Sequence, residues 1–204
     1  MVSARCTAFH GVKRIASGPL AEVAATVKRV ADQGGPSAIL VFDDVTAEPV
    51  EIDLRGSPED VVARLSGSSE NVAPSRPEHR GRGRPKLGVV AREVTLLPRH
   101  WDWLARQPGG ASVALRKLVD EARRANGGKD RRREAQAAAY RFMAALGGNE
   151  PGFEEAARAL FAGNGTRFDE VTAAWPRDIR DYAKALAAPA FADQAQETAS
   201  GPRR

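Results

Sequence analysis

The chain has 204 residues, with 31 Lys/Arg against 26 Asp/Glu, a formal net charge of +5, 42% hydrophobic residues and one cysteine. That hydrophobic share excludes a wholly disordered chain. The lone Cys6 excludes an internal disulfide and fits a reducing compartment, and with no leader-like stretch and no apolar run of membrane-spanning length the composition predicts a cytoplasmic protein with no membrane partner.

Residues 1–65 predict a small α+β module. Cys6 to His10 read as a short strand. Ser17 reads as an N-cap with Pro19 just inside the helix start. Leu20, Val23, Ala24, Val27, Val30 and Ala31 then recur at helical spacing until Gly34-Gly35. Ala38 to Phe42 is an apolar strand. Asp43 to Pro49 reads as a hairpin loop into another strand, where Val50, Ile52 and Leu54 alternate with Glu51, Asp53 and Arg55. Ser57-Pro58-Glu59-Asp60 opens a second helix carrying Val61, Val62 and Leu65.

Residues 66–88 are rich in Ser, Gly, Pro, Glu and Arg and predict a basic flexible linker. It closes on Arg80-Gly81-Arg82-Gly83-Arg84-Pro85-Lys86-Leu87. Pro85 pushes Arg84 toward an extended backbone, and the glycines add no bulk. Such a ribbon is narrow enough for a DNA minor groove, whose A·T-rich stretches concentrate negative potential. Arg82-Gly83-Arg84-Pro85 resembles the AT-hook. That likeness implies that Arg82 and Arg84 lie along the groove floor while Arg80 and Lys86 meet phosphates.

Residues 89–126 predict a strand from Val89 to Leu97, a helix with Trp101 and Leu104 on one face, a turn at Pro108-Gly109-Gly110, and a helix capped by Ser112. The second helix carries Leu115, Leu118, Val119 and Ala122 and ends at Asn126-Gly127-Gly128. Strand, helix, turn, helix is similar to ribbon-helix-helix DNA-binding segments. That resemblance implies a strand paired with its twin in a homodimer, major-groove readout, and the second helix start, near Ser112, against a phosphate. The strand faces DNA either with Glu93, Thr95 and Leu97 or with Arg92, Val94 and Leu96, and neither set is a basic or polar triad. Arg92 and Thr95 are the candidate contacts. The competing solution is that the strand pairs with the N-terminal strands, or is covered by the C-terminal helices, in a monomer.

Residues 127–187 predict a helical module. Lys129-Asp130-Arg131-Arg132-Arg133 reads as a basic run between helices, with Arg131, Arg132 and Arg133 as candidate phosphate contacts. Ala137, Tyr140, Met143, Ala144 and Leu146 suggest one apolar stripe, and Phe153, Ala156, Ala157, Leu160 and Phe161 another. Phe168, Val171 and Trp175 continue the pattern, and Pro176 opens a last helix with Ile179, Tyr182, Ala183 and Leu186. Residues 188–204 read as a loose tail.

Charge is uneven along the chain. Residues 76–141 hold 17 Lys/Arg against 7 Asp/Glu, a net of +10, and the remainder holds 14 against 19, a net of −5. A basic middle between acidic ends is the footprint of a polyanion binder. No metal-ligand set, P-loop, dinucleotide fingerprint or nucleophile elbow is visible, so neither catalysis, nor a cofactor, nor a small-molecule substrate is expected. The composite expectation is an α+β, non-catalytic cytoplasmic DNA-binding protein, regulatory or nucleoid-associated. The alternative is an adaptor whose basic middle binds an acidic protein. Over its length the chain resembles the bacterial domain of unknown function 2239 family, on three stretches. These are Arg92-Glu93-Val94-Thr95-Leu96-Leu97-Pro98-Arg99-His100-Trp101, Gly110-Ala111-Ser112 with the helix after it, and Glu154-Glu155-Ala156 through Trp175-Pro176-Arg177-Asp178-Ile179. The resemblance implies membership and carries no activity with it.

Overall fold

The computed structural model describes residues 5–67, 90 and 92–199, the last seven by their backbone. The fold is α+β: a three-stranded antiparallel sheet near the N-terminus, and helices over most of the remaining described residues. The elements are β1 (Arg5–His10), β2 (Lys13–Pro19), α1 (Leu20–Gln33), β3 (Ile39–Asp43), α2 (Pro58–Gly67), α3 (Pro98–Ala105), α4 (Gly110–Leu146), α5 (Phe153–Ala162), α6 (Gly165–Thr172) and α7 (Arg177–Ala199). They fall into two compact units, Met1–Val72 with Gly128–Arg204, and Ala73–Gly127.

In the first unit β1 is the middle strand of the order β2-β1-β3. Gly11, at φ +59°, supplies the left-handed residue of the turn that closes His10 onto Lys13. Period-2 alternation buries β1 on both sides. Cys6 and Ala8 join Val23 and Val27 of α1 and Val41 of β3 in one cluster. Phe9 and Phe42 face the other way, into a larger core with Ala138, Phe142, Leu160, Ile179 and Tyr182 from the C-terminal helices. Phe9, Phe42, Phe142 and Tyr182 form a ring of edge-on and tilted contacts with centroids 4.7–6.2 Å apart. The N-terminal strands and C-terminal helices therefore share a core.

Several expectations are corrected. Lys13–Pro19 is a strand, so Ser17 lies in β2 and Pro19 is the N-cap of α1. Residues 50–55 form no strand. Val50 N–H donates to the Val41 carbonyl at 2.8 Å and Pro49 bridges Phe42, but no ladder continues. Val50, Ile52 and Leu54 still pack on the smaller cluster, so their alternation reports one-sided burial, not pairing. This stretch is held instead by Arg64, which donates to the carbonyls of Asp53 and Arg55. Ser57 and Asp60 do cap α2, and reciprocally: Asp60 N–H to Ser57 Oγ at 3.2 Å, and Ser57 N–H to Asp60 Oδ2 at 2.9 Å.

Residues 92–97 are not a strand either. No backbone group from Arg92 to Leu96 is hydrogen-bonded among the described residues, and an extended segment becomes a strand only against a partner. Asn126-Gly127-Gly128 does not end a helix; α4 runs through it without interruption. The buried positions of α4 in the first unit are Ala135, Ala138, Ala139, Phe142 and Met143, while Tyr140 is exposed, so the stripe lies to one side of the one expected. Nor are the described residues after 187 loose; residues 200–204 lie outside the described residues. α7 continues to Ala199 with Pro189 inside it, Ala190 is buried, and Phe191 packs on Phe168 at 5.5 Å.

Candidate nucleic-acid interface

The candidate interface is built on α4. Gly109 and Gly110, both with positive φ, turn the chain out of α3, and the Ala- and Arg-rich sequence that follows favours helix. From Arg116 to Glu134 the helix carries eight Lys/Arg against four Asp/Glu. In the second unit these cations are Arg116, Lys117, Arg123 and Arg124, all exposed. In the first they are Lys129, Arg131 and Arg133, exposed, and Arg132, half-buried. Two have acidic partners: Arg123 stands 4.0 Å from Asp120, and Arg133 2.7 Å from Asp130. The other six make no ion pair among the described residues. Within the second unit Lys117 and Arg124 are seven residues apart and so share one helix face.

The remaining expected contacts scatter. Arg80, Arg82, Gly83, Arg84, Pro85 and Lys86 lie outside the described residues. Arg92 and Thr95 are exposed on the irregular stretch before α3. Ser112 is exposed but is not the cap, because α4 begins at Gly110 and places it inside the first turn. The Lys129–Arg133 run sits within a helix rather than between two.

Arg131 also borders a cavity of about 290 Å³ with Asp44, Val45, Glu134, Ala135, Ala185, Leu186 and Pro189. Pro189 has no N–H to give the Ala185 carbonyl one turn back. Behind Asp44 lies a polar network that no local sequence signal announces, since its members are 37 and 138 residues apart. Asp44 Oδ1 accepts from Thr7 Oγ1 at 2.6 Å and from Tyr182 Oη at 2.9 Å. Thr7 has one hydroxyl proton, which leaves Ser17 Oγ to donate to Thr7 Oγ1 at 2.9 Å. Burial first, and the Asp44 charge second, push the Tyr182 phenol above its ordinary range, so it stays a neutral donor. Burial also pushes the Cys6 thiol up to about 11, with Asp43 and Asp44 adding to the effect. A neutral, fully buried thiol is a poor nucleophile. The network ties β1 to α7. Among the described residues no group of His, Cys, Asp and Glu could hold a metal, and no helix is long and apolar enough to cross a membrane.

The model of a family described as "Uncharacterized protein conserved in bacteria (DUF2239)" matches residues 5–187. No curated protein and no solved structure matches the chain.

Proposed function

The chain belongs to the DUF2239 family of bacterial proteins, and from that premise we propose that it is a DNA-binding protein, regulatory or nucleoid-associated, held to the duplex mainly through phosphates. The observation that carries this reading is the exposed basic run of α4, with six cations free of ion pairs among the described residues. Cations already engaged with carboxylates release few counterions from DNA; free ones release one per phosphate met. The basic segment 80–86 adds a second contact, and Arg82 and Arg84 supply an A·T preference through the minor groove. Base readout by residues 92–97 is not part of the proposal, because neither Glu93, Thr95 and Leu97 nor Arg92, Val94 and Leu96 make a basic or polar triad.

The test is a titration against A·T-rich and G·C-rich duplexes with the parent chain and the Arg82→Ala/Arg84→Ala variant. The reading expects tighter binding to the A·T-rich duplex, and loss of that difference in the variant. No binding to either duplex at low salt removes the proposal. Equal A·T preference in parent and variant removes the groove contact and leaves only the phosphate contacts.

A further inference from the structure

The described part of the second unit leaves most of its large apolar side chains open. Among its described residues only Leu104 and Ala114 are buried hydrophobics, while Val94, Leu97, Trp101, Trp103, Leu118 and Val119 stand open, the two tryptophans at 42% and 47% exposure. Tryptophan at that exposure, unpartnered, is costly in water. Leu97 and Trp101 are one helical turn apart, and Trp103 and Leu118 line a groove of about 170 Å³ between α3 and α4. Directly before α3 lies the stretch whose backbone donors and acceptors from Arg92 to Leu96 have no partner among the described residues.

We propose that a second copy of this chain covers this face, with residues 93–97 paired antiparallel to their equivalents across a two-fold axis. This inference does not depend on the DNA reading. Three observations select the occupant. The first is area. The open apolar side chains present roughly 600 Å², whereas a standard interface takes about 800 Å² from each partner, about 65% of it apolar in homodimers. The second is charge. From Arg92 to Leu104, Arg92 and Arg99 balance Glu93 and Asp102, so this stretch selects neither an acidic nor a basic partner. The third is symmetry. An isologous contact satisfies the same unpaired segment in both molecules at once. With the axis at Thr95, Val94 of each copy lies opposite Leu96 of the other on one side of the ribbon and Glu93 opposite Leu97, and the ladder stops short of Pro98.

The experiment is sedimentation of the full chain at 5 to 50 µM, on the order used for dimers of moderate affinity, with Trp101→Glu and Thr95→Pro as variants. Both positions are exposed and neither backbone N–H of residues 94 or 95 is engaged among the described residues, so far-UV circular dichroism should match the parent. Val119→Glu, on α4, serves as a third variant if one of these loses helicity. The expected result is twice the 21.8 kDa chain mass for the parent, and a weakening of self-association by about 100-fold or more, to monomer, in each variant. A parent that is monomeric at 50 µM overturns the proposal, because the face is then closed by the chain's own segments. A dimer that survives either folded variant overturns it too, because its seam then lies elsewhere.

Discussion

The continuity of α4 through Gly127-Gly128 can be tested by replacing both glycines with alanine. Inside a helix each glycine loses more backbone freedom on folding than alanine does, at a cost of about 0.5–1 kcal/mol. Both positions are helical with no left-handed φ, and both are half-buried. The Gly127→Ala/Gly128→Ala chain should therefore be more stable by about 1–2 kcal/mol. For a chain of this size each kcal/mol moves the melting temperature by about 2–4 °C, so the expected rise is about 2–8 °C. A thermal melt followed by circular dichroism at 222 nm reads both the midpoint and the helix content, and the content should not fall. If the helix instead stopped at Asn126, one glycine would hold the left-handed position of a C-cap, and alanine there would be strained. A lower midpoint, or reduced helicity, would refute the continuous helix.

Two further outcomes follow from the polar network. Tyr182→Phe removes one of the two side-chain donors to Asp44 Oδ1 and should cost about 1–2 kcal/mol in urea unfolding, whereas an unchanged midpoint would show that the bond holds nothing. Cys6 ties stability to alkaline pH: its folded value is raised from 9.0 to about 11, so above pH 9 the unfolded chain loses its proton first and stability falls as pH rises. The decline between pH 9 and 11 should approach about 2–3 kcal/mol from this group. Cys6→Ala should flatten it, and a decline of equal size in that variant would assign it elsewhere.

Local signals in the sequence were good guides where one element decides its own structure. The Ser57–Asp60 cap, the apolar spacing of α1 and the Ile179–Leu186 face of α7 all state themselves within a few residues. Signals failed where the deciding partner is distant. Lys13–Pro19 lacks alternation and ends in Gly-Pro, yet β1 beside it supplies a ladder. Val50–Leu54 alternates well, but only one face meets a core and its pairing with β3 stops at Val50. Gly127-Gly128 has the composition of a stop, but the helix formers on both sides outweigh two unfavourable residues. The tail after 187 looked uncommitted because Phe191 finds Phe168 only in three dimensions. The same limit applies to the candidate interface. The cations of α4 are visible in sequence as two separate runs, and only the fold places both on one helix and shows which have carboxylate partners. The Thr7–Asp44–Tyr182 network could not be read at all.

The salt dependence of duplex binding tests the proposed function most directly. Fluorescence anisotropy with a short duplex at several salt concentrations gives log K against log salt, whose slope is about −0.9 for each phosphate neutralised. The parent should bind with a steep negative slope. The Lys117→Ala/Arg124→Ala/Arg131→Ala variant, which lacks three of the exposed cations of α4, should lose about 2–3 units of that slope. A flat response in the parent, or a slope unchanged in the variant, would contradict the assignment of α4 as the DNA-binding helix.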